Sequence, residues 1–509
     1  MARVASSSGL DAADVTVEHK NRVAVIGAGI AGLVTAKVLR DDGFDVIVFE
    51  QEPAVGGVWV ESRTYPGLRT NNSRDTYAFS DHPYDRSADV FPTADQVRRY
   101  LASYVARFGL APLIRLSSEV VRVSRRGDWF EVAVRDPDGP ASVQCEFVVV
   151  CAGTFSEPHV PEIRGAERFE GTVVHSSQAT DPALLVGKRV IVVGAGKSAL
   201  DCAAWAASCA QSCMLPFRAP HWMAARFLPG GIPGDRLFLA RAAELFFRYH
   251  RLSRVERFLH GPGRILTRFF WRATGRLLRL VLRMPAVMVP DQPLPLGIES
   301  FGVAPEFYDL ARRGQLDMRR DEISALADGH EVVLASGDRV AADVVVFATG
   351  WRQSFPFLAP ELESAALRDG HFLLYRHILP PTEQSLGFVG YASSTACQLT
   401  SEISAHWLSQ TFRGELTLPG VDDMKAEVQR VSAWLAEVFP ARSQGYFVGP
   451  YLAHHIDDLI ADMGLPPRRT SNVLSEYLGP FSPARYCDIT EQRRVARAAT
   501  AVPIAASST

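Results

Sequence analysis

The chain has 509 residues, of which 47% are hydrophobic and 22% are charged, and its formal net charge is −2. These values predict a globular protein of two or more domains with no global attraction to nucleic acid. Seven cysteines without zinc-finger spacing favour a reducing cytoplasm over a disulfide framework. No signal segment or apolar run of membrane-spanning length is expected, and residues 1–20 are predicted to be a flexible leader.

The first predicted element is an apolar strand over 22–26, which enters a glycine-rich turn and then a helix over 30–40. The turn follows the pattern G-x-G-x-x-G with Gly27, Gly29 and Gly32. Such glycines allow a tight turn, close approach to a pyrophosphate and helix packing, and the helix N-terminus favours phosphate. The next strand, 45–50, ends at Glu50, whose carboxylate would accept hydrogen bonds from a ribose. The pattern predicts a dinucleotide site.

The segment QEPAVGGVW follows Glu50 and contains a glycine pair that ends at Gly57. This E-x5-GG-x-W arrangement resembles FAD-binding proteins of the two-dinucleotide flavoprotein class. The resemblance implies that Gly57 and Trp59 contact FAD, although Trp59 alone would equally suit core packing.

A second glycine-rich turn follows a strand predicted over 188–193. The strand after it, 212–217, ends at an arginine instead of an acid. A carboxylate there would repel a ribose 2′-phosphate, whereas an arginine can pair with it, so the site is predicted to prefer NADPH. The alternative for the arginine and for Lys197 is a solvated surface position. The residues expected to contact NADPH are Gly194, Gly196, Lys197, Ser198, Ala199 and Arg218.

Between the two turns lies FEGTVVHSSQAT, residues 169–180, which contains F-x-G-x-x-x-H. TNNSRDTYAFSDHP (70–83), DVVVFATGW (343–351), LGFVGYA (386–392) and SEISAHW (401–407) also match known signatures. With both turns in this order, the chain resembles the flavin-containing monooxygenase family (class B flavoprotein monooxygenases). The resemblance implies an α/β fold with two Rossmann-like dinucleotide-binding domains, for FAD and NADPH, and a helical insert in the NADPH domain.

The resemblance also implies a reaction. NADPH reduces FAD, dioxygen adds at flavin C4a, and one oxygen atom enters a hydrophobic small-molecule substrate. Asn71 and His175 are the candidate catalytic residues, and the further cofactor contacts are Thr70, Thr349, Gly350 and Gly390. Asn71 would lie near the flavin, with a turn-forming role as the alternative. His175 is interpreted as a positioning residue, with proton transfer as the alternative.

Departures from the family patterns bear on the chemistry. Ala179 stands where the fingerprint has an aromatic residue, and Asn71 stands where the Baeyer–Villiger branch has an aspartate. That branch carries Lys-Arg where this chain has Glu299 and Ser300. The apparent absence of a cation favours oxygenation of a soft nitrogen or sulfur. Because Arg69 could supply the charge, a Baeyer–Villiger enzyme is the alternative, followed by an NADPH reductase without oxygen transfer and a non-enzymatic redox sensor.

An arginine-rich insert, about 226–290, lies outside both turns. Between Arg236 and Arg283 it has twelve arginines, no lysine and two glutamates, interleaved with aromatic residues. Two or three amphipathic helices are predicted. They would form a solvated subdomain, a lid over the substrate channel, a subunit contact in a homodimer, or a contact with a membrane surface through 236–283. The expected location is therefore cytoplasmic, with a peripheral membrane position as the alternative.

The predicted organisation places the first part of the FAD domain at 21–160 and the NADPH domain at 161–330. The second part of the FAD domain follows at 331–465, and a partly disordered extension at 466–509. CAQSC (209–213) and AHHIDD (453–458) are interpreted as structural, so no redox thiol pair and no metal site are expected.

Overall fold

Two five-stranded parallel sheets organise the protein. The computed structural model describes residues 20–296, 298–303, 305–392, 394–439 and 449–501, so the predicted leader lies outside it except for residue 20. The first sheet has the strand order Leu386–Phe388, Phe147–Val150, Arg22–Ile26, Asp45–Phe49 and Ile114–Arg115. Its central strands are apolar on both faces because both faces are covered, as is usual for parallel sheets.

Helices Ile30–Asp41 and Cys397–Phe412 pack against each other over one face of the first sheet. The other face is covered by an antiparallel sheet, Glu119–Arg126, Trp129–Asp136 and Gly139–Cys145. The helix Ala94–Phe108 begins at Thr93 in a capping box with Gln96. Val23 and Val25 are buried under the two helices, whereas Ala24 and Ile26 are buried under the antiparallel sheet.

The second sheet has the strand order Asp317–Arg319, Ser212–Pro216, Arg189–Val193, Val344–Phe347 and Thr172–His175, again all parallel. Helices Lys197–Cys209 and Pro305–Arg312 pack on it. An antiparallel sheet of Ile323–Ala327, Glu331–Leu334 and Arg339–Ala341 covers its other side. Because Val344–Phe347 pairs with Arg189–Val193, the second sheet extends past the boundary expected at 330.

The insert forms four helices, where two or three were expected: Asp235–Phe238, Arg241–Glu244, Arg254–His260 and Arg264–Leu282. The other helices are Pro360–Ala366, Val421–Val438, Leu452–Asp462, Val473–Leu478 and Ile489–Ala501. The remaining strands are Glu157–Pro158, Trp222–Ala225, Phe227–Leu228, Ile232–Pro233, Ile298–Val303, Trp351–Arg352, Leu367–Arg368 and His371–Phe372. Within the described residues, no helix combines the length and the apolar character needed to cross a bilayer.

Two buried glutamates attach the insert to helix Leu452–Asp462. His454 Nδ1 lies 2.9 Å from Glu244 and its Nε2 lies 2.6 Å from Glu256. Glu244 also accepts a hydrogen bond from the backbone N–H of Ala453, at 2.9 Å, and so caps that helix. Burial alone would lower the pKa of His454, but the two carboxylates raise it to about 10. His454 is therefore an imidazolium that donates to both glutamates.

Within the C-terminal extension, for which partial disorder over 466–509 is expected, helix Ile489–Ala501 packs on the first domain. Arg493 is 1% exposed, and its guanidinium binds Asp42 and His406 Nδ1, each at 2.7 Å. The local sequence is small and polar, which suggested fraying, but a buried ion pair formed over more than 400 residues holds the helix. Residues 502–509 lie outside the described range.

Candidate nucleotide-binding and active site

The first glycine-rich turn lies at the carboxyl edge of the first sheet. Gly27 has φ +105°, and its N–H donates to the carbonyl of Phe49 at 2.7 Å. A Cβ on Gly32 would stand 1.8 Å from the carbonyl oxygen of Gly27, so only glycine allows the helix to start this close to the turn. This is the geometry expected of a pyrophosphate-binding turn.

Glu50 reaches this turn from the next strand. Its Oε2 accepts from the N–H of Ala28 at 2.7 Å, and its Oε1 accepts from the N–H of Glu52 at 2.9 Å. The residue is 6% exposed, and burial raises the pKa of its carboxyl. Each oxygen of a carboxylate can accept a second hydrogen bond, so Glu50 retains the capacity to bind ribose hydroxyls.

The glycine pair after Glu50 returns to the first turn. A Cβ built on Gly29 would lie 3.4 Å from Cα of Gly57, and one on Gly57 would lie 3.1 Å from Cα of Gly29. A Cβ on Gly390 would lie 2.8 Å from Cβ of Ala31, in the helix that follows the turn. Three chain segments thus converge where an extended nucleotide would pass, and Gly57 and Gly390 cannot bear a larger side chain without a shift.

The other candidates of the first domain are largely buried. The indole N–H of Trp59 donates to the Tyr77 hydroxyl at 3.1 Å, and the two rings pack edge to face, so Trp59 lies in the core. Thr70 is also buried, and its hydroxyl donates to the carbonyl of Asn72 at 2.8 Å. Asn71 lies between Thr70 and Asn72, which are both buried, and is itself only partly buried.

The second turn repeats the arrangement at the carboxyl edge of the second sheet. Gly194 has φ +131°, and a Cβ there would lie 2.6 Å from the carbonyl oxygen of Ala348 and 3.3 Å from Cβ of Ala199. Gly196 differs, because a Cβ on it would meet no protein atom within 4 Å. The turn is therefore packed from behind at Gly194 and open at Gly196, where a pyrophosphate would approach.

The charged candidates of the second turn have different environments. The ammonium group of Lys197 forms an ion pair with Asp201 one helical turn later, which partly neutralises it, while Ser198 is partly buried. Arg218 is exposed. Burial, followed by the charges of Arg352 and Arg218, lowers the pKa of His159. A second arginine, at 352, therefore shares the neighbourhood of Arg218.

His175 holds the segment that joins the two sheets. Its Nε2–H donates to the carbonyl of Gly350 at 3.1 Å, and its Nδ1 accepts from the backbone N–H of Ser177 at 3.2 Å. The ring is buried, lies edge to face with Trp351, and has a pKa lowered by burial. The Thr349 hydroxyl donates to the carbonyl of His159. Because both ring nitrogens of His175 are used within the chain, its geometry suits positioning.

Several residues of this region were missed by the sequence interpretation. The hydroxyl of Tyr65, in the first domain, donates to Asp201 of the second domain at 3.0 Å. Arg226 is 8% exposed, lies 5.4 Å from the Phe91 ring centroid, and has a pKa lowered by burial. No sequence signal distinguished these residues, because each acquires its role only from residues distant along the chain.

Asp235 of the insert contacts the segment that carries Asn71. One of its carboxylate oxygens accepts from the backbone N–H of Ser73 at 2.8 Å, from the Ser73 hydroxyl at 2.6 Å and from the Thr76 hydroxyl at 2.6 Å. The carboxylate is 4% exposed. The insert is therefore fixed directly to the candidate site, which the sequence did not indicate.

The guanidinium of Arg69, which was considered as the cation for Baeyer–Villiger chemistry, binds other groups of the protein. Arg69 Nη1 binds Asp89 at 2.5 Å and the carbonyl of Phe91 at 3.0 Å. The side chains of Glu299 and Ser300 lie outside the described atoms. The cysteines are all free thiols, and the described residues contain no group of three or more His, Cys, Asp or Glu suited to a metal ion.

Two glycine-rich turns, each at the carboxyl edge of its own parallel sheet, define a protein with two Rossmann-like dinucleotide-binding domains. A family model described as flavin-binding monooxygenase-like matches residues 20–260 and 313–486. The probable flavin-containing monooxygenase 1 of Arabidopsis thaliana is 30% identical over an alignment of 534 positions, gaps included, which covers 92% of this chain and 96% of that protein.

Two further comparisons agree. Dimethylaniline monooxygenase (N-oxide-forming) 2 of Rattus norvegicus is 26% identical over 494 residues, covering 91% of this chain and 88% of its own. The solved structure of an oxidized steroid monooxygenase bound to NADP matches with a TM-score of 0.65 at 22% identity, over 87% of this chain and 98% of that one, which shows a common fold. The chain belongs to the flavin-binding monooxygenase-like family and is a monooxygenase, an oxidoreductase. The resemblance noted in the sequence is confirmed.

Proposed function

We propose that the protein uses FAD at the first glycine-rich turn and NADPH at the second to transfer one oxygen atom from dioxygen to a soft nitrogen or sulfur of a hydrophobic small molecule. The observation that carries the proposal is the link between the two turns. A Cβ on Gly27 of the first turn would lie 2.7 Å from the carbonyl oxygen of Cys151, and the strand Glu157–Pro158, a few residues later, pairs with Trp351–Arg352. The latter strand directly follows the loop 348–350, whose Ala348 carbonyl oxygen would lie 2.6 Å from a Cβ on Gly194 of the second turn. The two nucleotides would therefore meet at one junction.

The residues of the first turn fit FAD. The close approach of Gly29 and Gly57 leaves backbone, and no side chains, along the expected pyrophosphate path, and Glu50 retains acceptor capacity for the ribose. Bound flavin supplies the redox chemistry that amino acid side chains lack. The protein's own contribution is to orient the two cofactors, exclude water and hold Asn71 at the edge of the buried segment that includes Thr70 and Asn72.

Arg218 is the residue proposed to select NADPH over NADH. We expect Arg218→Ala to raise KM for NADPH on the order of 10- to 100-fold, because a charge-assisted contact to the 2′-phosphate is lost. KM for NADH should change little. Steady-state NAD(P)H oxidation measures both values, and Arg99→Ala, at an exposed position of helix Ala94–Phe108, is the control. An equal loss with both nucleotides would contradict the assignment.

Asn71 is proposed to lie beside the reacting oxygen. We expect Asn71→Asp to raise the ratio of NADPH consumed to product formed and to release hydrogen peroxide, because a carboxylate disfavours negative charge developing next to it. Peroxide release and product formation are measured together. Asn472→Asp, which keeps a helix cap, adds the same charge elsewhere. Unchanged coupling would leave Asn71 as a turn residue only.

The preference for nitrogen or sulfur over ketones rests on Arg69. Its guanidinium is bound to Asp89, so it is not free to stabilise the negative charge that attack on a ketone requires. The decisive experiment supplies labelled dioxygen, NADPH and a panel of apolar amines, thioethers and ketones. Label in an N-oxide or sulfoxide supports the proposal. Label in an ester identifies Baeyer–Villiger chemistry, and NADPH oxidation without labelled product identifies a reductase.

A further inference from the structure

The longest helix of the insert, Arg264–Leu282, has three distinct faces. Trp271, Gly275, Leu278 and Leu282 form its buried face. On the outer side, Leu266, Phe269, Leu277 and Leu280 share one side of the helix at about 100° per residue, and Phe269 and Leu280 are 72% and 75% exposed. The neighbouring helix Arg254–His260 adds two more apolar side chains to this surface. The exposed large apolar residues of the two helices are Val255, Phe258, Ile265, Leu266, Phe269, Leu277 and Leu280.

The third face of the long helix consists of arginines. Arg268, Arg272, Arg276 and Arg279 recur at helical spacing and therefore share one side, next to the apolar stripe. Like charges at this spacing destabilise a helix. An anionic partner along this side would offset that repulsion.

The twelve arginines of the insert divide into two groups. The first four along the chain, Arg236, Arg241, Arg248 and Arg251, bind carboxylates of other parts of the protein. From Arg254 to Arg283, no arginine has a carboxylate within 4.0 Å among the described atoms. Both glutamates of the insert point inward to His454. The outer surface therefore carries positive charge without its own counter-charge.

We propose that these two helices dock on an anionic lipid membrane, with the apolar stripe entering the boundary between headgroups and acyl chains and the arginines contacting lipid phosphates. A helix with this composition lies in the plane of the interface and does not span the bilayer. An apolar centre beside a cationic border suits lipid better than nucleic acid, which would contact arginines alone. The proposal does not depend on the reaction that the enzyme catalyses.

The inward contacts make the surface rigid before it meets lipid. Glu244 and Glu256 bind His454, and Asp235 binds the segment that contains Ser73. The docked helices are thereby joined to the residues around Asn71. A membrane contact at this surface would bring the candidate active site close to a source of apolar substrate.

The test is cosedimentation of the flavin-loaded full chain with vesicles of phosphatidylcholine, alone or mixed with phosphatidylglycerol. We expect binding to the mixed vesicles only, weakening as salt is raised. Removing three arginines in R268Q/R272Q/R276Q should reduce the partition coefficient on the order of 100-fold at low salt, since each contributes about fivefold. R99Q/R135Q/R339Q removes the same charge from other exposed sites and should bind as the wild type does.

The apolar contribution is tested separately by F269E/L280E, which should abolish binding, with Val186→Glu as an exposed apolar control in a different domain. Retained flavin reduction by NADPH shows that each variant is folded. A wild type that stays in solution with both vesicles, or full binding by F269E/L280E, would overturn the proposal. A dimer seen by light scattering without lipid, and lost in F269E/L280E, would also overturn it and assign the surface to a second copy of the chain.

Discussion

Gly196→Val is expected to retain flavin and to require a much higher NADPH concentration for its reduction. A side chain at this position meets no protein atom within 4 Å, and φ of −78° with ψ of 177° is extended backbone that valine adopts readily. The protein should therefore fold and melt as the wild type does. The valine would instead occupy the path of the pyrophosphate, at a cost that corresponds to about 10- to 100-fold in NADPH affinity. Stopped-flow reduction of the flavin at varied NADPH concentration measures this loss of affinity.

The control is Gly29→Val, the corresponding substitution at the second glycine of the first turn. Its Cβ would stand 3.4 Å from Gly57, so the valine methyl groups would press on the glycine pair and on the nucleotide between the segments. This variant should purify without bound flavin. If Gly196→Val lost flavin while keeping its melting temperature, or if it were reduced normally, the assignment of the two turns to two different nucleotides would fail.

His454→Gln should destabilise the folded protein by roughly 3–5 kcal/mol, which is the cost of leaving buried charges without their partner. Glu244 and Glu256 are 3% and 1% exposed, and in the wild type the imidazolium donates a hydrogen bond to each and offsets part of their charge. The free energy of unfolding in urea measures the loss. His330→Gln, at an exposed histidine, is the control. E244Q/E256Q/H454Q should recover part of the stability, because the uncompensated charges are then gone.

The cluster of His454, Glu244 and Glu256 makes the stability of the folded protein depend on pH. The pKa of His454 is raised from its ordinary 6.5 to about 10, so its contribution to stability is complete below about pH 6.5 and is lost as the pH rises through about 10. Wild-type protein should therefore lose stability between these values more steeply than His454→Gln. Parallel pH profiles for the two proteins would show that the imidazolium does not hold the insert.

The candidate site was predicted from sequence where its geometry is local. Gly27 and Gly194 have positive φ, and Gly32 lies against the carbonyl of Gly27; these are features of turns that form within a dozen residues, so the pattern in the chain indicates them. Glu50 and Arg218 follow directly after strands, which places them at the carboxyl edge of a sheet. The family was recognisable for the same reason, since its signatures are short segments. Their cofactor contacts and the roles of Asn71 and His175 stay predictions.

Contacts between distant segments could not be predicted in this way. The apolar sequence of strand Val344–Phe347 suits either of the two parallel sheets. Only its pairing with Arg189–Val193 shows that it belongs to the second sheet. Arg493 lies in a C-terminal segment whose small and polar residues predicted fraying. In the structure it is buried because it forms an ion pair with Asp42 of the first domain. The arginine-rich insert resembled a solvated surface, whereas Asp235, Glu244 and Glu256 attach it to the core.

The sequence by itself determined the two glycine-rich turns, the family and the presence of a cationic amphipathic segment, because backbone conformation and helical periodicity are properties of neighbouring residues. The tertiary structure alone decided which of the insert's charges are satisfied and which face outward. Burial and ion pairing depend on residues that lie up to several hundred positions apart, and no local pattern records them.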